Sequence, residues 1–119
     1  LIITGEFHAG DENILAGSAG GCFLLCMFIG LIHMDFLLEG CHSLKEKRSR
    51  MSGLRERFGR MPHIALCESG YQDEHMKSRW SFVIVSLDRK GLDRAVNILE
   101  KEAEEIVDAL LTGITREEL

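Results

Sequence analysis

The amino-acid sequence predicts an α+β, ferredoxin-like sandwich in the order β-α-β-β-α-β, a four-stranded antiparallel sheet with both helices on one face. Three observations predict it. From residue 27 onward, strand-like runs and helix-like periods follow one another in that order. The second and third strand-like runs are joined by a polar hairpin loop, as antiparallel neighbours require. Each helix-like segment carries a single apolar stripe, enough to cover one side of a sheet.

The elements follow in chain order. In "MFIGLIHMDFLL", Phe28, Ile32, Met34, Phe36 and Leu38 fall on one face, and Ile29, Leu31, His33, Asp35 and Leu37 on the other. That alternation marks a strand buried on one side and mixed on the second. "GCHS" turns the chain, and Ser43 with Glu46 fits a capping box in which each side chain satisfies a backbone N–H of the other residue. The first helix runs from there to about Phe58, with Leu44, Met51, Leu54 and Phe58 on its stripe, and ends at Gly59 with Pro62 beyond. "HIALCES" and "RWSFVIVSL" supply the second and third strands, the latter rich in β-branched and aromatic residues, with "GYQDEHMKS" as the loop between them. The second helix, about Lys90 to Leu111, has the cleanest period: Leu92, Ala95, Val96, Leu99, Ala103, Ile106, Val107 and Leu110. A short last strand near "GITREEL" is weakly signalled.

A chain of 119 residues is long enough for one core without a metal or disulfide. Residues 27–119 are read as the domain. Residues 1–26 hold five of the twelve glycines, including the stretch "AGSAGG" (Ala16 to Gly21), and are read as an extension or expression remnant ahead of it. A phosphate loop in "AGSAGG" lacks the Gly-Lys-Ser/Thr that would hold a nucleotide phosphate.

Charge is unevenly placed within a net charge of -5: Cys41 to Arg60 carries seven basic and two acidic residues, and Asp88 to Leu119 five and nine. An acidic sum therefore does not exclude an anionic partner. Cys22, Cys26, Cys41 and Cys67 form no C-x-x-C pair, which points to reduced thiols and a cytoplasmic protein. The apolar run Cys22 to Ile32 is too short to span a bilayer, so no membrane association is expected.

The stretch "HSLKEKRSRMSGLRER" places six cations in sixteen residues. At about 100° per residue, Arg48 and Arg55 flank the apolar stripe on one side and Arg50 and Arg57 on the other. The outermost face then carries Glu46, Ser49, Gly53 and Glu56, so no single basic ridge is expected. Lys47 falls inside the apolar sector. Either its methylenes lie along the sheet with the ammonium reaching out, or it pairs with Glu68, or it joins Lys45 and Arg48 in an anion site by the helix N-terminus.

The run from Met27 to Arg48, with H-S-L-K-E-K-R unbroken at His42 to Arg48, resembles the opening of the YlxP-like family of small bacterial proteins. The likeness continues through Ala65, Glu68, the Gln72-Asp73 pair, Val85, Ser86 and Asp88. It implies a ferredoxin-like fold and no established activity. The company its genes keep, with ribosome maturation and translation initiation factors, implies a ribosome or RNA partner. Members carry a Trp two residues after the Gln-Asp pair, where this chain has His75.

Catalysis finds little support. Cys41 and His42 are adjacent and point apart on an extended chain, a poor nucleophile and base. His33 and Asp35 share a strand face about 7 Å apart, where they could hold a proton, but two ligands are too few for a metal. Sheet stacking of RNA bases lacks the basic and paired-aromatic signature in the third strand. The expected site is therefore a nucleic-acid or anion grip of Lys45, Lys47, Arg48, Arg50 and Arg55, with His33, Asp35, His42, Glu68, Gln72 and Asp73 as a polar candidate set. No cofactor or metal is expected. The expected function is a non-catalytic ribosome- or RNA-associated accessory factor. The alternative is a homo-oligomeric module, joined through the open sheet face, that binds a small anion at the start of the first helix.

Overall fold

A computed structural model describes residues 27–119. The expectations for residues 1–26, including "AGSAGG" and the thiols Cys22 and Cys26, lie outside the described residues. The elements are β1 (Phe28–Leu37), α1 (Leu44–Phe58), β2 (Ile64–Gly70), β3 (Lys77–Ser86), α2 (Arg89–Ile106) and β4 (Leu110–Glu118). They form one antiparallel sheet in the order β2-β3-β1-β4, the ferredoxin-like arrangement. Among the described residues no helix is long and apolar enough to cross a membrane.

The period of two in β1 places Ile32, Met34 and Phe36 under the helices, and β3 does the same with Trp80, Phe82 and Ile84. Met51, Leu54 and Phe58 of α1 and Leu92, Val96, Leu99 and Ala103 of α2 close over them. Phe58 meets Phe82 edge to face at 6.0 Å between ring centroids, the arrangement that aligns ring edge with ring face. Burying side chains of this size yields roughly 1.5–3 kcal/mol each before entropy is counted, so the two-layer core carries the fold.

Four details depart from the sequence expectation. The capping box is half formed: the Ser43 hydroxyl accepts from the Glu46 N–H at 3.0 Å, but Glu46 accepts from His42, at 3.4 Å, rather than from Ser43. Gly53 is not outermost; a methyl group placed on it would lie 2.5 Å from the Ile106 carbonyl oxygen, so α1 meets the end of α2 there. Lys47 is buried at 3% exposure instead of reaching outward.

The fourth is the end of α2, which stops at Ile106 rather than Leu111, so β4 starts earlier and is longer than "GITREEL". Tertiary bonds override the helical period. Arg50 donates its Nε–H to the Asp108 carbonyl at 2.9 Å, and its own carbonyl accepts from the Asp108 N–H at 3.1 Å. Val107 turns extended and buries its side chain at 8% exposure. Leu110, assigned to the helical stripe by its period, becomes the first residue of β4 and is half exposed.

Candidate anion-binding groove

The register of α1 sets the groove. Leu54 and Phe58 commit one stripe to the core, which turns Arg48 and Arg55, seven residues and about 10 Å apart along the axis, toward edge strand β2. Arg60 extends this flank just past the helix end. Opposite stand Glu68 of β2 and Gln72 and Asp73 of the hairpin loop, while Leu44, Met51 and Trp80 form the floor. The groove, open on one side, has a volume of about 770 Å³, within the usual range of ligand sites.

Lys47 fastens the two walls together. Its ammonium donates to Glu68 Oε2 at 2.8 Å and to the carbonyls of Tyr71 and Glu74, both at 2.7 Å. An ammonium has three hydrogens, and all three are occupied. Ser78, fully buried on β3, donates to the same Glu68 oxygen at 2.6 Å. The clamp holds Tyr71 at φ 60°, a left-handed conformation that a residue with a large side chain adopts only when its surroundings impose it. Of the sequence readings for Lys47, the Glu68 pair is the geometry found.

The other predicted cations divide. Arg50 lies on the α2 flank, paired with Glu46 and Asp108 at 3.3 Å each and bonded to the Glu39 carbonyl. Arg57 pairs with Glu102 at 2.7 Å on the same flank. Lys45 is exposed on the first turn of α1. Among the described residues Lys45, Arg48, Arg55 and Arg60 make no ion pair. Pairing thus removes Lys47, Arg50 and Arg57 and leaves a basic ridge on the groove side of α1, where residue angles alone gave none.

Trp80 belongs to the strand run "RWSFVIVSL", to which the sequence reading gave no site role. It is 6% exposed and faces the helices, but it also forms groove floor, with the Arg55 guanidinium 5.5 Å from its ring centroid. Its Nε1–H is buried and has no acceptor among the described residues. Arg60 was also missed, since it lies beyond the helical period that grouped the others. The available signal for Trp80 was its strand phase: it is two residues from buried Ser78 and directly opposite Glu68.

The polar candidates on the other side of the sheet do not join this groove. Asp35 takes a two-pronged interaction from Arg79, at 2.6 and 3.2 Å, and the Arg79 hydrogen bond holds its carboxyl below the usual range against the opposing effect of burial. His33 Nδ1 is 2.6 Å from the Ser81 hydroxyl, and its Nε2 is 3.7 Å from Glu117. Both residues sit on the open face, each with its own partner. His42 is exposed beside the α1 N-cap, and its ring makes no hydrogen bond among the described residues. No strand residue on the open face is Phe, Tyr or Trp, because Trp80 and Phe82 point to the helices.

A de novo designed protein, Foldit4, superposes with a TM-score of 0.49 at 10% identity, covering 78% of this chain and 96% of its own. The cofactor-independent oxygenase SnoaB of Streptomyces nogalater superposes at 0.39 with 15% identity, over 77% and 90% of the two chains. A dimeric ferredoxin-like protein of unknown function from Jannaschia sp. CCS1 gives 0.33 at 17% identity, over 76% and 97%. No protein of curated function matches the sequence. A family profile described as a protein of unknown function, DUF503, matches residues 29–116.

Proposed function

We propose that this chain, which belongs to the DUF503 family of proteins of unknown function, is a non-catalytic RNA-associated accessory domain that grips phosphates along the groove side of α1. One observation carries the reading: Arg48, Arg55 and Arg60 line a single groove with no ion-pair partner among the described residues, while the cations on the α2 flank are neutralised. Guanidinium groups left unpaired on one ridge are suited to bidentate phosphate contact. The YlxP-like resemblance makes ribosomal RNA the partner of choice. The strands put no aromatic side chain on the open face, and the nearby Tyr71 ring is taken by Lys77 and Arg79 at 5.6 and 5.7 Å, which favours a grip on the helix side.

The test is binding of the chain to short single-stranded RNA and to ribosomal subunits across a salt series. Three phosphate contacts predict a slope of about -2 in log K against log salt. A Lys45→Glu, Arg48→Glu, Arg55→Glu variant with unchanged unfolding should lose binding at least about ten-fold. Lys47 is left intact, because its charge is buried in the clamp. Absence of binding at low salt, or a variant that binds as well as the native chain, overturns the reading.

A second reading, a self-associating module that takes a small anion, is favoured by the apolar open face, where Val83 and Val85 stand 37% and 36% exposed beside Leu31 and Ile29.

A further inference from the structure

The two walls of the groove differ in hydrogen-bonding sense. The α1 wall offers the free donors of Arg48, Arg55 and Arg60, which outnumber its one carboxylate, Glu56. The loop wall offers acceptors: the Asp73 carboxylate makes no hydrogen bond or ion pair among the described residues, and Gln72 gives its amide N–H to the Glu68 carbonyl at 3.3 Å, leaving its side-chain oxygen free. Between them the floor of Leu44, Met51 and Trp80 is apolar, and Trp80 brings a buried N–H with no acceptor among the described residues. A fitting ligand therefore has an anionic end, a flat apolar body with an acceptor atom, and an edge of donors at the far side. A simple anion satisfies only the first requirement.

We propose that the groove holds one guanine nucleotide unit, with its phosphate and those of its neighbours in the strand along Arg48, Arg55 and Arg60, its base on the floor by Trp80, and its Watson–Crick edge on Asp73. The inference rests on the RNA reading above and names what that site selects. Guanine alone among the four common bases presents two adjacent donors, N1–H and the N2 amino group, matching the two oxygens of a carboxylate. Adenine and cytosine place a ring acceptor there, and uracil flanks its one donor with two acceptors. Splayed bases in RNA recognition are held in this way, by stacking on aromatic or guanidinium planes and by hydrogen bonds to the exposed edge. The Arg55 guanidinium covers the Trp80 ring. It must swing aside for a ligand oxygen or nitrogen to reach the orphan N–H, which lies in the plane of the ring.

Trp80 is the one tryptophan of the chain, so its emission reports the groove directly. The full chain is titrated with GMP, AMP, UMP and inorganic phosphate, with calorimetry as a parallel readout that does not depend on emission. GMP should bind at least about ten-fold tighter than AMP, UMP or phosphate, a difference of one good hydrogen-bonded contact. Asp73→Asn should reduce that preference to under about three-fold, since one carboxylate oxygen becomes a donor, while leaving the salt slope of RNA binding unchanged. A pentamer containing guanine that binds more tightly than GMP identifies an RNA strand as the source, and GMP binding alone identifies a free nucleotide; both support the site. Equal binding of GMP and AMP, phosphate binding as tightly as GMP, or an Asp73→Asn variant with native preference overturns this inference. If RNA still binds in those cases, the RNA reading stands without it; if neither RNA nor nucleotide binds, both fall.

Discussion

The Lys47 ammonium lies 2.8 Å from the Glu68 carboxylate inside the domain, joining α1 to β2 from a helical position that otherwise faces apolar side chains. The pair is well satisfied: two loop carbonyls complete the lysine, and Ser78 donates to the carboxylate. Removing one partner of a buried, bonded pair leaves the other desolvated and costs about 3–5 kcal/mol. Glu68 keeps 23% side-chain exposure, which places the expected loss for Lys47→Met near the lower end, about 3 kcal/mol. Arg55→Ala, which gives up its cover of the Trp80 ring, should cost no more than about 1 kcal/mol. Denaturant unfolding of the two variants checks the contrast, and equal losses would remove the clamp from the account.

Gly53 makes a prediction against helix propensity. Replacing a mid-helix glycine by alanine ordinarily stabilises by up to about 1 kcal/mol. Here the added methyl would lie 2.5 Å from the Ile106 carbonyl oxygen, a main-chain atom that cannot rotate away. The helices must separate, and overpacking of this kind costs about 1–3 kcal/mol. Gly53→Ala should therefore lower the denaturation midpoint, and a rise would show that the α1–α2 contact is looser than described.

Both results bear on how far this fold was legible in the sequence. β1, β3 and the core face of α1 were readable because burial on one side forces a strict period of two or 3.6. The end of α2 was not, since Ile106, Val107 and Leu110 fit a helical stripe and an extended segment alike, and the choice is made by Arg50 bonding to Asp108, 58 residues away in sequence. The groove was half legible. Arg48 and Arg55 could be placed on one flank from helix geometry, and Glu68 beside Lys47 from topology. The neutralisation of Arg50 by Asp108 and of Arg57 by Glu102, and the orphan N–H of Trp80, depend on side-chain meetings between distant elements. No local pattern encodes those.

The Asp35–Arg79 pair predicts an acid limb in the stability profile. Arg79 holds the Asp35 carboxyl below its ordinary value, about 3.9. A carboxyl depressed in the folded state contributes stability that is fully present above the unfolded value and fades as pH falls through the folded one. Asp35→Asn should therefore be less stable than the native chain from pH 5 upward, taken as roughly one unit above that value, and the gap should narrow as pH falls below the ordinary value. Unfolding curves across that range test it; a gap independent of pH would mean that Arg79 stabilises Asp35 by geometry alone.

The open sheet face predicts self-association. Ile29, Leu31 and Leu37 of β1 share it with Val83 and Val85 of β3, and Leu110 of β4 adds a side chain 51% exposed at one end. A hydrogen-bonded strip of His33, Ser81 and Ser69, with 2.6 Å contacts, runs across the middle and pairs these polar groups with one another. An antiparallel sheet can leave one face in water, but that face is then usually polar. A second copy of the chain stacked face to face would hide the valines, and a stable pairing needs roughly 1,000 Å² or more of buried surface. Sedimentation at micromolar concentration should show a dimer. Val83→Lys should yield a monomer with stability within about 0.5 kcal/mol of the native monomer, because the residue is already partly exposed. A native chain that stays monomeric up to 100 μM, an order-of-magnitude ceiling of about 5.5 kcal/mol of association, would show that this face is not a homodimer surface.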